Sequence, residues 1–305
     1  MNPIDIDDLH KHFGRTRALN GLTMSVEAGT AHGFLGPNGS GKTTTLRILV
    51  GLARADSGSV RVFGTDPWDH VKAVYRRFAY VPGEIELWPS LTGGEIIDFL
   101  GRLRGGVHHG RRAELLERFD LDPTRKIRTS SKGNRQKVIL ISALAAEVDL
   151  LLLDEPTAGL DPLMESVFRE CIEERCAAGT TVLLSTHRLD EVEEVCTSVS
   201  IIGSGRTIDS GRLDDLRQLT GVAVTARLIG SAGSLFDRPA FRNCEIDGAR
   251  LSGSVDRGEL DEVLRILAFI GVEDVTITPS TLEDLFRRRY STSLQGTAAG
   301  VGARS

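Results

Sequence analysis

The nonapeptide GPNGSGKTT at residues 36–44 restricts the fold of this chain more than any other stretch. It matches the phosphate-binding pattern GxxxxGK[ST], and it lies between an apolar run at residues 31–35 and a helical pattern that starts near Leu46. A strand, a glycine-rich turn and a helix in this order aim several backbone N–H groups at one point, where phosphate oxygens bind. The pattern therefore predicts an α/β domain with a nucleoside-triphosphate pocket.

Each residue of this loop is a candidate nucleotide contact: Gly36, Pro37, Asn38, Gly39, Ser40, Gly41, Lys42, Thr43 and Thr44. The glycines permit the tight turn. We expect Lys42 to lie on the β- and γ-phosphates as a point charge, and the Thr43 hydroxyl to ligate Mg²⁺. By itself the loop is also typical of kinases and GTPases, so its surroundings decide the function.

Two later strands end in polar residues of the kind that nucleotide hydrolysis needs. Residues 150–155 read LLLLDE, which is typical of a buried parallel strand that ends at Asp154 and Glu155. Residues 180–185 predict another strand, and His187 follows it. Because the carboxyl ends of parallel strands meet at one sheet edge, we expect these three side chains to lie close together. Asp154 is suited to binding Mg²⁺, Glu155 to polarising an attacking water, and His187 to donating a hydrogen bond to the γ-phosphate. A helix cap or a surface ion pair is the alternative for the two acids, and the buried strand before them disfavours it.

Charge and hydropathy restrict the partners of the chain. Its 305 residues have a net charge of −5, so no chain-wide basic footprint indicates binding to nucleic acid. The N-terminus lacks a basic segment followed by an apolar one, so no signal peptide is predicted. The most apolar long window, residues 138–148, is about half as long as a bilayer span. We therefore expect a cytoplasmic protein that reaches a membrane only through a partner.

Helical periodicity dominates residues 92–121 and returns at residues 136–148. In the first stretch, one helix face is predicted to carry Ile96, Phe99, Leu100 and Leu103. The run GRLRGGVHHGRR within it holds two histidines and four arginines without acidic partners. A solvated connection between helices is favoured there over a metal or nucleic-acid site.

Beyond residue 220 the composition changes, and no further catalytic motif follows. The segments with strand or helix periodicity there are 222–228, 251–255, 260–270, 272–278 and 281–290. The last one begins with Pro279 and a capping box from Ser280 to Glu283. The predicted organisation is a first domain at 1–219, a small α+β domain at 220–290 and a disordered tail at 291–305.

The motifs described above, in this order over residues 4–216, resemble the ATP-binding subunits of ABC transporters. GPNGSGKT resembles the family's Walker A motif, LLLLDE its Walker B motif with Glu155 as the catalytic residue, and GLD, which ends at Asp161, its D-loop. His187 resembles the switch histidine. The resemblance implies a P-loop NTPase fold with a helical subdomain at about residues 88–145, and hydrolysis of ATP with Mg²⁺.

Phe13, in the segment KHFGRTRALNGL, is a candidate for contact with the adenine base. From the residue alone, stacking on a base and packing in the core are equally supported. In the family an aromatic at this place stacks on adenine, and the resemblance favours that role for Phe13.

The family signature, usually LSGGQ, has its counterpart at residues 130–134, which read SSKGN. Ser131 and Gly133 match, while the leading leucine and the preceding glycine are replaced. The resemblance places Ser131, Lys132, Gly133 and Asn134 against the ATP held by a second copy of the chain or a homologous subunit. It thus implies a head-to-tail dimer with two ATP molecules. Whether Lys132 adds charge near a phosphate or points to solvent stays open.

The family commonly carries a glutamine where this chain has Gly83 followed by Glu84. Glu84 is therefore a candidate contact for Mg²⁺, and coordination by water is the alternative. Leu87 and Trp88 follow as an apolar knob, at the place where the family docks a coupling helix of the membrane subunit.

The Lys-Gly signature, the run GLDPLME and the segment STLEDLFRRRY resemble the daunorubicin-exporter branch of drug-efflux subunits. This implies an ATPase at the cytoplasmic face of the cell membrane, bound to a transmembrane permease and exporting a hydrophobic drug, antibiotic or lipid-like compound. A translation or repair ATPase is the first alternative, although neither a second cassette nor a coiled-coil insertion is visible. A nucleotide sensor with little turnover is the second, and the missing glutamine keeps it open.

Overall fold

The computed structural model describes residues 2–70, 74–104, 106, 108–219, 221–230 and 244–279. Within the chain, contacts define two compact units, Met1–Gly211 and Arg212–Ser305. The helix expected at 281–290 and the tail expected at 291–305 lie outside the described residues.

The first unit confirms the α/β class that the sequence predicts. Its elements in chain order are β1 (Ile4–Phe13), β2 (Thr16–Val26), β3 (Ala31–Leu35), α1 (Lys42–Leu49), β4 (Ser57–Val62), β5 (Phe78–Val81), α2 (Gly93–Arg104), α3 (His109–Arg118), α4 (Lys132–Leu144), β6 (Leu150–Asp154), α5 (Pro162–Ala177), β7 (Thr181–Thr186), α6 (Leu189–Val195), β8 (Ser198–Gly203) and β9 (Arg206–Arg212). A short 3₁₀ turn at Ile127–Thr129 precedes α4.

A six-stranded sheet in the order β5-β6-β7-β3-β8-β9 organises this unit, beside an antiparallel sheet in the order β2-β1-β4. Strands β3, β6 and β7 are buried along their whole length, as expected for the interior of a parallel sheet. They are adjacent and parallel, with Leu35 paired to Thr186 and Asp154 paired to Ser185. The segments that follow these strands therefore leave the sheet at the same edge.

Helix α2 buries only part of the apolar face that the periodicity predicts. Ile96 is buried and Leu100 is half-buried, whereas Phe99 and Leu103 are 38% and 50% exposed. A Cβ atom added to Gly93 would lie 3.0 Å from the Val138 side chain. Because the glycine side of α2 permits the closer approach, it faces α4 and leaves the aromatic side free.

The second unit is small and contains both helices and strands. Its elements are α7 (Leu213–Leu219), β10 (Val222–Leu228), β11 (Cys244–Asp247), β12 (Arg250–Val255), a 3₁₀ turn at Arg257–Glu259, α8 (Leu260–Ile270) and β13 (Val272–Pro279). The antiparallel sheet has the order β11-β12-β10-β13. Val224 and Leu251 of the sheet form a core with Val263 and Leu267 of α8. All the members of this core belong to the second unit.

A buried histidine in β3 was not singled out by the sequence patterns. The two ring nitrogens of His32 lie 2.8 Å from Ser198 Oγ and 2.9 Å from Ser200 Oγ in β8. Burial lowers the pKa of His32 to about 4, because the charged imidazolium would lose its hydration. The folded protein therefore holds His32 neutral at pH values where the unfolded chain protonates it.

This difference predicts a loss of stability in weak acid. Between the unfolded pKa of 6.5 and the folded value of about 4, the unfolded chain binds a proton that the folded one does not, so stability falls as pH falls. From this group alone we expect a loss of about 2 kcal/mol on going from pH 7 to pH 5. Urea unfolding of His32→Gln at both pH values should show a correspondingly smaller loss. An identical pH dependence of wild type and His32→Gln would contradict the assignment.

Candidate nucleotide-binding site

Residues 36–41 of GPNGSGKTT connect β3 to α1, and the last three residues of the motif form the start of that helix, at Lys42. Lys42 is buried, and its Nζ donates to the Gly36 carbonyl at 2.7 Å and the Pro37 carbonyl at 3.2 Å. The Ser40 carbonyl accepts from the Gly205 N–H at 3.0 Å, which anchors the loop to the turn between β8 and β9. The loop thus encloses the ammonium group of its own lysine, at the N-terminus of α1.

Asp154, the last residue of β6, contacts the loop directly. Its carboxylate accepts from Thr43 Oγ1 at 2.8 Å and from Ser185 Oγ at 2.9 Å. Burial raises the pKa of Asp154, and these two hydrogen bonds oppose that rise because they stabilise the carboxylate. A hydroxyl and a carboxylate thus meet at the start of α1, and both are oxygen ligands of the kind that Mg²⁺ prefers.

Glu155 and His187 leave neighbouring strand ends and meet beside the lysine. Nδ1 of His187 lies 2.9 Å from both carboxylate oxygens of Glu155, and Lys42 Nζ lies 3.8 Å from Oε1. Because an ionised carboxylate only accepts hydrogen bonds, Nδ1 of His187 is the donor in this contact. Burial lowers the pKa of Lys42, whereas the charges of Glu155 and Asp154 act to raise it. The three groups form one electrostatic cluster at the loop.

The backbone of Glu155 is itself unusual, since its φ of 48° lies in the left-handed region. The Glu155 N–H donates to the Ser185 carbonyl at 2.9 Å, and the Glu155 carbonyl accepts from the Ala158 N–H at 3.2 Å. These bonds hold a conformation that costs a non-glycine residue on the order of 1 kcal/mol. Such strain is common where a side chain must be aimed at a reacting group.

A cavity of about 400 Å³ opens next to these residues. Its lining includes Thr43, Asp154 and Glu155, together with Glu84 and Gly83 in the place of the family glutamine. Glu84 is thus near the Thr43–Asp154 pair, where the sequence placed a candidate metal contact. No cluster of three or more acidic, histidine or cysteine side chains suited to a metal occurs in the described part of the chain. A cation here would therefore complete its shell with phosphate oxygens and water, as Mg²⁺ commonly does.

Two polar residues that the sequence patterns did not indicate, Arg47 and Tyr80, also line this cavity. Arg47 lies four residues after Thr43, so both point to the same side of α1, and this spacing is a signal that was available in the sequence. Tyr80 is on β5, the strand beside β6, and burial raises its pKa to about 12, with the Asp154 charge adding to the effect. Only the order of the strands in the sheet reveals that Tyr80 lies close to Asp154.

Phe13 lies outside the lining of this cavity. It ends β1, where it pairs with Thr16 across the hairpin, and its ring is half-exposed. Lys11 Nζ lies 5.3 Å from the centre of the ring. The exposed ring is thus available for stacking on another flat group.

The predicted signature segment also lies outside the cavity lining, at the start of α4. Ser131 caps the helix by accepting from the Asn134 N–H at 3.2 Å. A Cβ atom on Gly133 would lie 2.7 Å from the Gly159 carbonyl oxygen, so only glycine permits this approach of α4 to the GLD segment. Lys132 is exposed, and its side-chain stem runs past Gly159.

Two further polar residues of the predicted motifs act as helix caps. Asp161 caps α5 by accepting from the Met164 N–H at 3.0 Å. In the histidine-rich run, His108 caps α3 by accepting from the Arg111 N–H at 3.1 Å. The histidine thus has a structural role in the connection between α2 and α3.

Comparison with known proteins gives consistent matches. Residues 19–158 match the family model described as ABC transporter. The daunorubicin resistance ATP-binding protein DrrA3 of Streptomyces coeruleorubidus is 37% identical over 301 residues, which cover 93% of this chain and 94% of that protein. The linearmycin resistance ATP-binding protein LnrL of Bacillus subtilis (strain 168) is 34% identical over 218 residues, 70% of each chain.

Solved structures show the same likeness. A structure described as the ATP binding subunit of an ABC transporter superposes with a TM-score of 0.66 and 32% identity, and covers 71% of this chain and 92% of that one. A dimeric bacterial ABC transporter cassette superposes with a TM-score of 0.63, and at 23% identity it supports the fold alone.

Proposed function

Because this chain belongs to the ABC transporter family as an ATP-binding, ATP-hydrolysing subunit, we propose that it energises export of a hydrophobic drug, antibiotic or lipid-like compound. The relative matched over 94% of its length is named for daunorubicin resistance, and the one matched over 70% of its length is named for linearmycin resistance. ABC ATP-binding subunits work as dimers with a separate transmembrane component. Among the helices in the described ranges, none combines the length and apolar character needed to cross a bilayer. We propose a separately encoded permease that holds the chain at the cytoplasmic face of the membrane.

The observation that carries the proposed catalytic site is the group formed by Lys42, Glu155 and His187. An arriving phosphate offers Lys42 a better partner than the two loop carbonyls that it contacts, so ATP binding is expected to turn the ammonium outwards. Glu155 is placed to accept a hydrogen bond from the attacking water, and His187 holds that carboxylate from the other side. Phe13 is proposed to stack on the adenine.

Thr43 and Asp154 fit Mg²⁺, with Glu84 as a further candidate ligand. The Thr43 hydroxyl and the Asp154 carboxylate already lie within 2.8 Å of each other, and both are hard oxygen donors. When bound with ATP, the ion would neutralise charge on the phosphates. The protein orients the Asp154 carboxylate for this role through the hydrogen bond from Ser185 Oγ.

A second subunit, either another copy of this chain or a homologue, is proposed to complete the site. Ser131, Lys132, Gly133 and Asn134 do not line the cavity of their own chain, and Ser131 and Lys132 at the start of α4 are exposed. A hydroxyl and free N–H groups at a helix N-terminus suit a phosphate. The ATP held by the loop of one chain would thus contact the signature segment of the other, with Asp161 nearby in the D-loop.

The proposed contact with the permease lies around Trp88. Its ring packs edge-to-face on Phe99, with ring centres 5.3 Å apart, and both side chains stay partly exposed because α2 turns its glycine face inwards. Exposed aromatic pairs of this kind often anchor protein interfaces. This patch is therefore the surface that we expect the membrane subunit to cover.

Replacing Trp88 by alanine tests this function. We expect the variant to bind ATP as wild type does, because Trp88 is not among the residues that line the nucleotide cavity. Its co-purification with the permease, and the stimulation of its ATPase activity by the permease in vesicles, should fall at least about tenfold. The readouts are nucleotide affinity, co-purification yield and stimulated turnover.

Trp68→Ala is the matched control, since Trp68 is a similarly exposed tryptophan that lines a different cavity. It should retain both co-purification and stimulation. If Trp88→Ala retains them too, the docking surface lies elsewhere. If the wild-type chain hydrolyses ATP but no membrane protein encoded beside it changes its turnover, the proposed transport role is wrong.

A further inference from the structure

Arg188 follows His187 directly and makes a two-point ion pair with helix α5. Its Nη1 lies 2.5 Å from Glu165 Oε1 and its Nη2 lies 3.4 Å from Glu165 Oε2. Nη2 also donates to Asp190 Oδ2 at 2.8 Å. The guanidinium thus connects the loop before α6 to the first turn of α5.

This ion pair is better placed to hold structure than an isolated surface pair. The side chains of Glu165 and Arg188 are partly buried, at 25% and 38% exposure, so water and salt screen them less. The fork of the guanidinium matches a carboxylate in one orientation only. The hydrogen bonds that Arg188 donates to Asp190 and to Glu165 raise its pKa above the ordinary value, so the charge is permanent.

His187 is fixed on both sides by this arrangement. Before it, Thr186 belongs to β7, and Thr186 Oγ1 accepts from the Arg188 N–H at 3.0 Å. After it, the Arg188 side chain attaches the loop to Glu165. Because the residues on both sides of His187 are held in place, its Nδ1 stays in contact with the Glu155 carboxylate.

The far end of the ion pair belongs to the helix that begins at the D-loop. The Glu165 N–H donates to the Asp161 carbonyl at 3.0 Å, within the first turn of α5. Two residues earlier, the Gly159 carbonyl lies against Gly133 at the start of α4. A continuous set of contacts therefore runs from the signature segment through Gly159, Asp161 and Glu165 to the loop that carries His187.

We propose that Arg188 is a positioning residue, which uses Glu165 as its anchor to hold His187 in line with Glu155 and with the D-loop helix. This inference rests on the proposed roles of Glu155 and His187 in hydrolysis. Phosphate is proposed to bind the loop at residues 36–44, and Arg188 is not among the partners of Lys42 there. Its loss should therefore slow turnover and leave ATP binding unchanged.

The test is steady-state ATP hydrolysis by the full-length chain and its variants Arg188→Gln, Glu165→Gln and the double substitution. Each single variant is expected to lower kcat about tenfold and to change KM for ATP by less than about twofold. The double variant should be no slower than the slower single one, since both remove the same contact. Arg188→Lys, which retains the charge but not the two-point contact, should fall between wild type and Arg188→Gln.

Arg169 and Glu194 provide a matched control, because their ion pair at 2.8 Å joins α5 to α6 further from His187. Arg169→Gln and Glu194→Gln should shift the thermal unfolding midpoint as much as the test variants do, but leave kcat unchanged. Equal kcat losses for both ion pairs, additive losses in the Arg188/Glu165 cycle, or a rise in KM matching the fall in kcat would each overturn the proposal. A wild-type chain without ATPase activity would instead overturn the proposed function.

Discussion

Glu155→Gln is expected to lower kcat for ATP hydrolysis at least about 100-fold while ATP binding persists. Glutamine has nearly the same shape, so the loop and the Lys42 contacts with Gly36 and Pro37 should stay as they are. Its amide carries no charge and is a weak acceptor for the proton of an attacking water. Binding groups thus remain while activation of water is lost.

Two measurements check this result. Turnover is followed by phosphate release, and dimer formation is followed by size-exclusion chromatography with and without ATP. The variant should accumulate as an ATP-dependent dimer, because ATP that is not hydrolysed keeps the two halves together. Glu194→Gln, at a half-exposed site in α6, is the control and should turn over normally. Unchanged turnover in Glu155→Gln would remove Glu155 from the catalytic site.

Gly41→Ala is expected to destabilise the first unit by about 3 kcal/mol and to abolish nucleotide binding. The φ of Gly41 is 112°, a conformation that L-residues rarely adopt. An added Cβ would also lie 2.6 Å from Leu19 Cδ2 and 2.8 Å from the Ala18 carbonyl oxygen. Backbone strain and overpacking therefore both destabilise the variant. The backbone can relieve them only by shifting, and a shift displaces the loop that is proposed to bind phosphate.

Gly39→Ala separates these two causes. Gly39 also has a positive φ, of 78°, but a Cβ there would meet nothing within 4 Å. We expect Gly39→Ala to lower the free energy of unfolding by about 1 kcal/mol, from backbone strain alone. Urea unfolding of both variants gives the comparison, with wild type as the reference. Equal losses of stability in the two variants would show that contact with Leu19 and Ala18 is not the reason for glycine at position 41.

Much of the site follows from local patterns in the sequence. The spacing of glycines, lysine and threonine defines a loop whose backbone works only between a strand and a helix, and β3 and α1 lie there. The run LLLLD defines a buried strand because four leucines in a row leave no polar face. These are short-range features, and neighbouring residues suffice to specify them.

Other features depend on which elements become neighbours. The exposure of Phe99 and Leu103 on α2 is one of them, since Gly93 brings another side of the helix against Val138 of α4. The buried His32 is identifiable only once β8 lies beside β3 and brings Ser198 and Ser200 to its ring. Periodicity carries no information about such partners.

The sequence by itself determined the phosphate loop, the two acids after the LLLLD strand and the histidine after the next strand, because each is a local pattern of residue types. The tertiary structure alone decided how these groups meet. Because β6 lies beside β7, the Glu155 carboxylate lies 2.9 Å from His187 Nδ1. Because the loop between β7 and α6 contacts α5, Glu165 pairs with Arg188. The residues in each pair are more than twenty positions apart, so their contact depends on strand order and helix packing, which no local pattern specifies.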